Sequence, residues 1–238
     1  MNRIRSTLLI TAQLICFLLL TGCAGARNPS DPFEPFNRCV YFVNDKVDKA
    51  VVKPVAQTYD TVMPAPVKIM AGNFISNIDD AVVSFNDLLQ LKFAQAASDG
   101  SRFIFNSTFG IFGILDITSG LEKHHEDFGQ TLGFWGIGSG PYLVLPFLGP
   151  SSVRDAIGIY VDILPSVPSQ VKHIPTRNQY YLSSEIHKRS TLLDQEKVLD
   201  EAIIDRYEFI RDTYLLHRRS LVYDGNPPRE RYDEFDEE

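Results

Sequence analysis

The stretch from Phe128 to Val153 contains no charged side chain and is long enough to cross a lipid bilayer as a helix. It also contains six glycines and three prolines. Each glycine costs a helix about 1 kcal/mol, and each interior proline about 3 kcal/mol, relative to alanine. The stretch is therefore predicted to form bends, short strands or half-helices. Two settings remain open: a glycine-rich loop in an ordinary core, or irregular backbone at membrane depth beside protein or a water-lined cavity.

The amino terminus indicates that the chain is attached to a membrane. Arg3 and Arg5 precede an apolar segment that ends in Leu20-Thr21-Gly22-Cys23. This order is typical of a secretion signal, and its ending resembles the lipobox of bacterial lipoproteins. The resemblance implies that residues 1–22 are removed and that Cys23 is lipidated. The alanine after Cys23 implies sorting to the outer membrane of a Gram-negative cell. A triacylated cysteine anchors a chain stably.

The mature chain is acidic and has few cysteines. Loss of the signal lowers the formal net charge from −7 to −9, which argues against nucleic acid as a partner. Cys39 is the one cysteine without a lipid, so no intrachain disulfide is expected and Cys39 is predicted to be a small buried residue. We expect a lipidated linker over residues 23–30, one domain over 31–219 and an acidic disordered tail over 220–238. The linker after Cys23 reaches roughly 25 Å.

Apolar residues at spacings of three and four predict amphipathic helices in the body of the chain. The first begins at Asp31 and ends at Lys53-Pro54, and the next two cover Val67–Ile78 and Asp80–Leu91. A fourth covers Lys92–Asn106, and a helical region from Asn178 to Arg219 forms two pieces. The apolar faces are Phe36, Val40, Val43, Val47 and Val51 in the first helix; Ala81, Phe85, Leu88 and Leu89 in the third; Phe93, Ala97 and Ile104, as inner positions, in the fourth; and Leu199, Ala202, Ile203, Tyr207, Ile210 and Tyr214 in the last piece.

A second charge-free run, Phe103–Leu115, is aromatic on nearly all sides. It is too short to span a membrane. A helix that is apolar all round lies either in a core or in lipid. Gly110 and Gly113 permit a bend in this run.

The search for catalytic or metal motifs gives no candidate. The cluster His124-His125-Glu126-Asp127 has no second histidine or cysteine at a zinc-ligand spacing. Ser139 lies in a Gly-Ser-Gly triplet that does not fit a nucleophile elbow, and Gly136-x-Gly138 lacks the third glycine of a dinucleotide fingerprint. A catalytic triad of residues distant in sequence stays open. We predict no cofactor, no metal and no enzymatic activity.

Seven segments of the chain form an ordered set of motifs: DPFEPFNR (31–38), YFVND (41–45), PVAQTY (54–59), NFISN (73–77), LLQ (88–90), RFIFNSTFGIFG (102–113) and EDFGQTLGFWGIGSGPYLVLPFLGPSSVRD (126–155). Together these motifs resemble the MlaA (VacJ) family of outer-membrane lipoproteins. The family usually has glycine at the position of Leu91 and phenylalanine at that of Val43.

The resemblance implies an all-α fold: a ring of amphipathic helices embedded in the inner leaflet of the outer membrane, around an amphipathic channel. It implies that phospholipids misplaced in the outer leaflet pass through this channel to a soluble periplasmic lipid-binding protein, which feeds an inner-membrane ABC transporter complex. Family members also associate with trimeric porins.

These considerations select a small set of site residues. Cys23 is the predicted anchor. The predicted channel wall contains Gly133, Gly136, Gly138, Gly140 and Pro141, and the candidate polar or gating groups near its mouth are Asn44, Asp45 and Asn73. Each glycine could instead form a tight turn in a packed core, and Asn44 and Asp45 could belong to a solvated helix face or cap. Two other functions remain alternatives, a membrane-attached phospholipase or other hydrolase and a structural surface lipoprotein.

Overall fold

The computed structural model describes residues 28–200 and 204–228, without the side chains of residues 197–200. The predicted signal peptide, Cys23 and the end of the predicted tail lie outside these residues. The described chain is mostly helical, which confirms the predicted fold class. The helices are α1 (Glu34–Val47), α2 (Lys53–Val62), α3 (Ala65–Leu89), α4 (Phe93–Thr108), α5 (Phe128–Phe134), α6 (Val153–Ile163), α7 (Ile174–Thr191), α8 (Leu193–Asp200) and α9 (Arg206–Val222), with a π-helical turn at Asp48–Val52, a 3-10 turn at Val167–Gln170, and strands β1 (Tyr142–Leu145) and β2 (Gly149–Ser152).

Several predicted helix boundaries are wrong. Lys53-Pro54 does not end the first helix, because a π-helical turn joins α1 to α2 and the chain stays helical across a proline that has no N–H to donate. The second and third predicted helices form one continuous helix, α3. Asp80, where the third was predicted to begin, is buried inside this helix because it pairs with Arg102 and Lys123. The carboxy-terminal region contains three helices, not two.

The helices turn their polar faces inwards. Phe36 is 59% exposed, and Phe93 and Ile104 are 64% and 58% exposed, so the prediction that the last two lie inward is wrong. Ala97 is exposed as well. Polar residues occupy the interior in their place because they bond to neighbouring segments and to one another. The buried polar side chains of α3 and α4 are Asn77, Asp80, Asn86, Asp87, Asp99, Arg102 and Asn106.

The inner face of α4 is held by such bonds. Arg102 donates to the carbonyl oxygens of Thr118 and Leu121 at 3.0 and 3.2 Å, and Asn106 donates to Asp116 at 3.0 Å. The apolar face opposite is largely exposed. The prediction identified the amphipathic period of α4 and assigned its two faces the wrong way round.

The strands β1 and β2 form an antiparallel hairpin, with Tyr142 opposite Ser152. Asn37 on α1 holds β1 on both sides of its backbone, because its amide donates to the carbonyl of Tyr142 at 3.0 Å and its oxygen accepts from the N–H of Val144 at 3.0 Å. Tyr142, Val144 and Tyr207 pack together as a small buried cluster. Tyr207 lies on the apolar face predicted for the last helix, and its burial confirms that position.

Cys39 is exposed, so the prediction that it is buried is wrong. Asn37 and Asn44 lie on the side of α1 that contacts the hairpin. Cys39 follows Asn37 by two positions, which is about 200° around a helix. The cysteine therefore lies on the side of α1 that faces away from the hairpin.

The second charge-free run bends as predicted. Helix α4 ends at Thr108, and the chain then turns through Ile111 and Phe112, which have φ angles of +54° and +57°. Gly113 follows with φ +89°. The side chain of Phe112 is 76% exposed at the tip of this turn. Large apolar side chains thus stand on a backbone conformation that L-residues disfavour.

Leu91 directly follows Gln90, the C-cap residue of α3, and has a φ angle of +61°. This is the helix-ending position where glycine is favoured, and Leu91 stands where the resembled family usually has glycine. Leu91→Gly should raise the free energy of unfolding by about 1 kcal/mol, because the leucine is 69% exposed and little apolar contact is lost. Urea unfolding in mild detergent measures the change. Leu91→Ala, which keeps the left-handed strain, is the control and should give no gain; equal stabilities for the two variants would contradict the explanation.

Candidate functional site

The charge-free stretch from Phe128 to Val153 folds as predicted into a half-helix, bends and short strands. It contains α5, an irregular loop over residues 135–141, the hairpin, and the first residue of α6. The loop bends at Gly136 and Gly140, whose φ angles are +87° and +66°. Only glycine adopts such angles without strain. The stretch therefore returns on itself and does not form one continuous helix.

Glycines of α5 and of this loop line a cavity of about 420 Å³. Gly133, Gly136, Gly138 and Gly140 all contribute to its wall. Arg154 of α6 and two arginines of α9 also line the cavity, together with Asp155. Pro141 is not part of the lining; its carbonyl accepts from the N–H of Val153 at 3.1 Å and so joins the loop to α6. Four of the five residues predicted for a channel wall thus lie around one cavity.

A cluster of ion pairs closes the base of this cavity. Arg218 of α9 donates to both carboxylate oxygens of Asp127, the residue that caps α5, and to both oxygens of Asp155 in α6 at 2.9 and 3.1 Å. Arg154 and Tyr214 also donate to Asp155, at 3.0 and 2.6 Å. One guanidinium therefore connects α5, α6 and α9.

The cluster changes the protonation of its carboxylates. Burial raises the pKa of Asp127, but hydrogen bonds and charge from Arg218 outweigh burial and hold the pKa below its usual range. Burial likewise raises the pKa of Asp155. The charge and hydrogen bonds of Arg218 and a hydrogen bond from Tyr214 outweigh burial, so the pKa of Asp155 also lies below its usual range. Both carboxylates are therefore ionised at neutral pH.

Close backbone contact makes this cluster possible. A Cβ atom on Gly158 of α6 would lie 2.4 Å from the backbone nitrogen of Gly129 in α5, a distance that no side chain tolerates. A Cβ atom on Gly129 would in turn lie 2.5 Å from a carboxylate oxygen of Asp155. These two glycines let α5 and α6 approach closely enough for Arg218 to reach both acids.

The predicted polar or gating residues lie away from this cavity. Asn44 donates to the carbonyl of Leu145 at 2.9 Å and accepts from the N–H of Phe147 at 3.0 Å, so it holds the turn of the hairpin. Asp45 forms an ion pair with Lys49, and both Asn44 and Asp45 line a separate cavity of about 330 Å³. Asn73 donates to the carbonyl of Ile114 at 3.2 Å. The structure does not bring these three residues to the glycine loop.

Sequence reasoning missed the arginines of the site. Arg154 is the first charged residue after the charge-free stretch, and it could have been identified from that position. Arg218 and Arg219 carry no such signal, because they lie on α9, far along the chain. They reach the loop because α9 packs against α5 and the hairpin.

The histidine cluster is structural. His124 bonds through Nδ1 to Asp99 at 2.7 Å, and Glu126 accepts from Gln90 and Lys92 at 2.8 and 2.9 Å. Within residues 28–200 and 204–228, no three histidine, cysteine or acidic side chains are grouped closely enough to hold a metal ion.

Asp87 lies fully buried near this cluster, and both of its carboxylate oxygens are without a hydrogen-bond partner. Burial, followed by the charges of Asp99 and Glu126, raises its pKa to about 7, while His124 and Lys92 oppose the rise. A carboxyl whose pKa is higher in the folded state than in the unfolded state makes folding less favourable as pH rises between the two values. The protein should therefore lose stability from about pH 4 to about pH 7 through this residue.

Asp87→Asn removes the ionisation and keeps the shape of the side chain. Its stabilising effect should be larger near pH 8 than near pH 5, by about 1 kcal/mol or more, because the wild-type carboxyl is charged only at the higher pH. Urea unfolding at the two pH values measures the difference. Glu185→Gln, which neutralises an exposed acid on α7, is the matched control. An effect of Asp87→Asn that does not vary with pH would contradict the raised pKa of Asp87.

Comparison with known proteins identifies the family of this chain. The family model described as MlaA lipoprotein matches residues 29–221. Proteins described as "Intermembrane phospholipid transport system lipoprotein MlaA" from Shigella flexneri and Escherichia coli K12 are each 32% identical to it, over 91% of this chain and 89% of theirs. A solved structure described as the structural basis for maintenance of bacterial outer membrane lipid asymmetry has a TM-score of 0.72 at 28% identity, and covers 83% of this chain and 100% of that chain. The chain belongs to the MlaA lipoprotein family.

Proposed function

We propose that this chain is an outer-membrane lipoprotein that forms a phospholipid conduit and removes misplaced phospholipids from the outer leaflet. It maintains the lipid asymmetry of the outer membrane as part of an intermembrane transport system, in keeping with the description of its relatives. Lipidation of Cys23 attaches it to the membrane. Its helices lie in the inner leaflet as a ring, and the phospholipid passes towards the periplasm.

The observation that carries this proposal is the reversed polarity of the helices. Aromatic and branched side chains stand outward over several helices and turns, and among them Phe109 and Phe147 are 71% and 79% exposed. Large exposed apolar surfaces are rare on proteins surrounded by water and mark membrane or protein contacts. Among the described residues, none of the helices is both long enough and apolar enough to cross a membrane. A position within one leaflet accounts for the apolar exterior without a spanning helix.

The polar interior supplies what a phospholipid headgroup needs. Transfer of an unpaired charge into hydrocarbon costs many kcal/mol, so a headgroup crosses a bilayer only along a polar lane. The cavity beside the glycine loop, whose lining includes Arg154, Arg218 and Ser139, offers such groups. In this proposal Gly133, Gly136, Gly138 and Gly140 form the irregular wall of the conduit, and Pro141 fixes the loop to α6. Asn44 holds the turn of the hairpin and Asn73 holds the turn after α4, while Asp45 pairs with Lys49, so in this proposal the three act on the structure around the conduit and not on its glycine wall.

The chain depends on partners for the direction of transport. No nucleotide-binding motif is present in the sequence. We propose that a soluble periplasmic lipid-binding protein receives the phospholipid and delivers it to an inner-membrane ABC transporter complex, and that a trimeric porin holds the conduit in place. The protein itself has no catalytic role in this scheme.

A hydrolase is the second candidate function, and a structural lipoprotein the third. A hydrolase would release fatty acid when the purified protein is incubated with phospholipid vesicles, whereas a conduit leaves the lipid intact. A structural lipoprotein would leave the lipid composition of the outer leaflet unchanged when its gene is deleted.

Phe112 tests the position in the membrane. Phe112→Asn places at φ +57° a residue that tolerates this conformation better, so folding should be unimpaired. The exposed aromatic ring is lost, and binding of the unlipidated protein to phospholipid vesicles should weaken about tenfold or more. Vesicle co-sedimentation measures the binding. Thr213→Asn, on the exposed side of α9, is the control. Unchanged binding of a folded Phe112→Asn variant would place this turn outside the lipid.

Gene deletion and a glycine variant test the conduit itself. Deletion should raise the phospholipid content of the outer leaflet and reduce detergent resistance, and the wild-type gene should restore both. Gly138→Trp should fail to restore them, because a Cβ at Gly138 meets open space in the cavity and the indole fills it. Gly120→Trp is the matched control, since Gly120 is also free of contacts but lies in another loop. Full restoration by a stably expressed Gly138→Trp protein would remove this loop from the lipid path.

A further inference from the structure

Residues 163–184 form the α6–α7 corner, which contains the end of α6, the 3-10 turn and the first part of α7. Hydrogen bonds within the corner keep it ordered. The hydroxyl of Ser166 donates to the carbonyl of Ile163 at 2.7 Å, and the side-chain amide of Gln170 donates to the carbonyl of Leu164 at 2.9 Å. The side chains of the corner are therefore presented in fixed directions.

Large apolar side chains of this corner are exposed. Leu164, Ile174 and Leu182 are each exposed over more than half of their surface. Tyr181 is exposed as well, and it lies seven positions after Ile174, which places the two residues on the same side of α7. Exposed apolar groups that occur together mark a contact with a membrane or with another protein.

The corner carries positive charge in an acidic chain. Residues 163–184 contain Lys172 and Arg177 and no acidic residue, whereas the whole chain has a formal net charge of −7. Lys172 is exposed and Arg177 is half-buried, and among the described residues neither side chain has a hydrogen-bond or ion-pair partner. Acids of α7 and of the helices packed on it face other lysines: Glu185 pairs with Lys188 at 3.9 Å, Asp60 of α2 pairs with Lys68 at 2.6 Å, and Asp79 of α3 is attracted by Lys188 and Lys123.

Helix stability does not account for these two cations. Arg177 is the fourth residue of α7, and Lys172 directly precedes its N-cap residue, His173. The amino-terminal end of a helix dipole is positive, so acids stabilise this end and cations do not. The first turn of α7 has no acid. The position of the two cations is therefore explained by a partner and not by α7 itself.

The interface of a bilayer supplies both kinds of contact. Apolar side chains enter the hydrocarbon, whereas tyrosine and the long side chains of lysine and arginine reach the headgroup level. A negatively charged membrane surface attracts each nearby cation, which strengthens binding about fivefold per residue. A zwitterionic headgroup has no net charge and attracts a cation much less. Apolar side chains beside unpaired cations therefore favour anionic phospholipid as the partner.

We infer that the α6–α7 corner lies at the headgroup level of the leaflet and that Lys172 and Arg177 bind anionic phospholipids. The inference rests on the proposed position of the protein in the outer membrane. It adds to that proposal a class of lipid and the edge of the molecule at which the headgroups lie. An acidic protein is the other occupant that this surface would admit.

Photo-crosslinking compares two lipids on the same protein. Full-length lipidated protein is reconstituted into phosphatidylcholine vesicles that contain a small fraction of photoactivatable phosphatidylglycerol or of photoactivatable phosphatidylcholine. Cleavage after acidic residues releases residues 163–185, which contain the corner, and residues 100–116, which serve as the internal control. The control peptide carries the exposed Ile104 and Phe109, but its one cation, Arg102, is buried.

The ratio of phosphatidylglycerol to phosphatidylcholine crosslinks should be at least about fivefold higher on residues 163–185 than on residues 100–116, because only the corner has unpaired cations. Equal ratios on the two peptides would overturn the inference. A corner that crosslinks to neither lipid while the control peptide does would also overturn it, since protein would then cover that surface.

Charge variants assign the lipid preference to the two cations. Lys172→Gln combined with Arg177→Gln should lower the crosslink ratio on residues 163–185 to that on residues 100–116. Lys46→Gln combined with Lys49→Gln removes the same charge from exposed positions near the end of α1 and should leave the ratio unchanged. A preference that survives in the corner variant, or that both variants lose equally, would overturn the inference.

Salt provides a measurement that needs no variant. Raising the ionic strength from about 0.05 M to about 0.5 M screens exposed charges, so the wild-type ratio on residues 163–185 should fall severalfold. The ratio on residues 100–116 should stay the same. A preference for phosphatidylglycerol that does not depend on salt would contradict binding through Lys172 and Arg177.

The inference and the proposed membrane position fail in different ways. Lipid crosslinks on residues 100–116 without a preference for phosphatidylglycerol on residues 163–185 contradict the inference alone. The absence of lipid crosslinks on both peptides contradicts the proposed position of the helices within the leaflet.

Discussion

Hydrogen bonding between buried polar side chains is the constraint on which this structure depends. With the apolar faces turned outward, the helices have little hydrophobic core of their own, and the interior is stable only if its polar groups are paired. Asn86 shows how this is done: it donates to Asp162 at 2.8 Å and accepts from Thr131 at 2.9 Å, and so joins α3, α5 and α6. Loss of one such partner leaves another buried group unpaired.

The same principle holds the two ends of the described chain together. Asp31 accepts hydrogen bonds from Asn37 and Tyr207, so the residues just before α1 are fixed to α9. Asn37 also holds β1, and Arg218, three turns further along α9, holds α5 and α6. Helix α9 thus connects the amino-terminal segment, the hairpin and the glycine loop. The three places therefore share α9 as their common element.

The fold class was predictable because apolar periodicity indicates amphipathic helices. The irregular backbone of the central stretch was predictable because glycine and proline act locally. It was insufficient for the direction of the helix faces. Periodicity shows that Phe93 and Ile104 share a side, but only the surrounding medium decides whether that side faces protein or lipid. The helix boundary at Pro54 was wrong because a π-helical turn depends on tertiary packing. The arginines of α9 were missed because their neighbours come from distant parts of the chain.

The position of Ser30 has a consequence for how the molecule sits on its membrane. Its carbonyl accepts from the N–H of Tyr142 at 3.0 Å, and the residue borders the cavity of the glycine loop. The linker from Cys23 therefore begins at the rim of that cavity. In the proposed lipidated form the linker spans roughly 25 Å at most, so acyl chains on Cys23 would keep the cavity close to the leaflet that holds them. The proposed attachment at Cys23 would therefore set which side of the molecule meets the lipid.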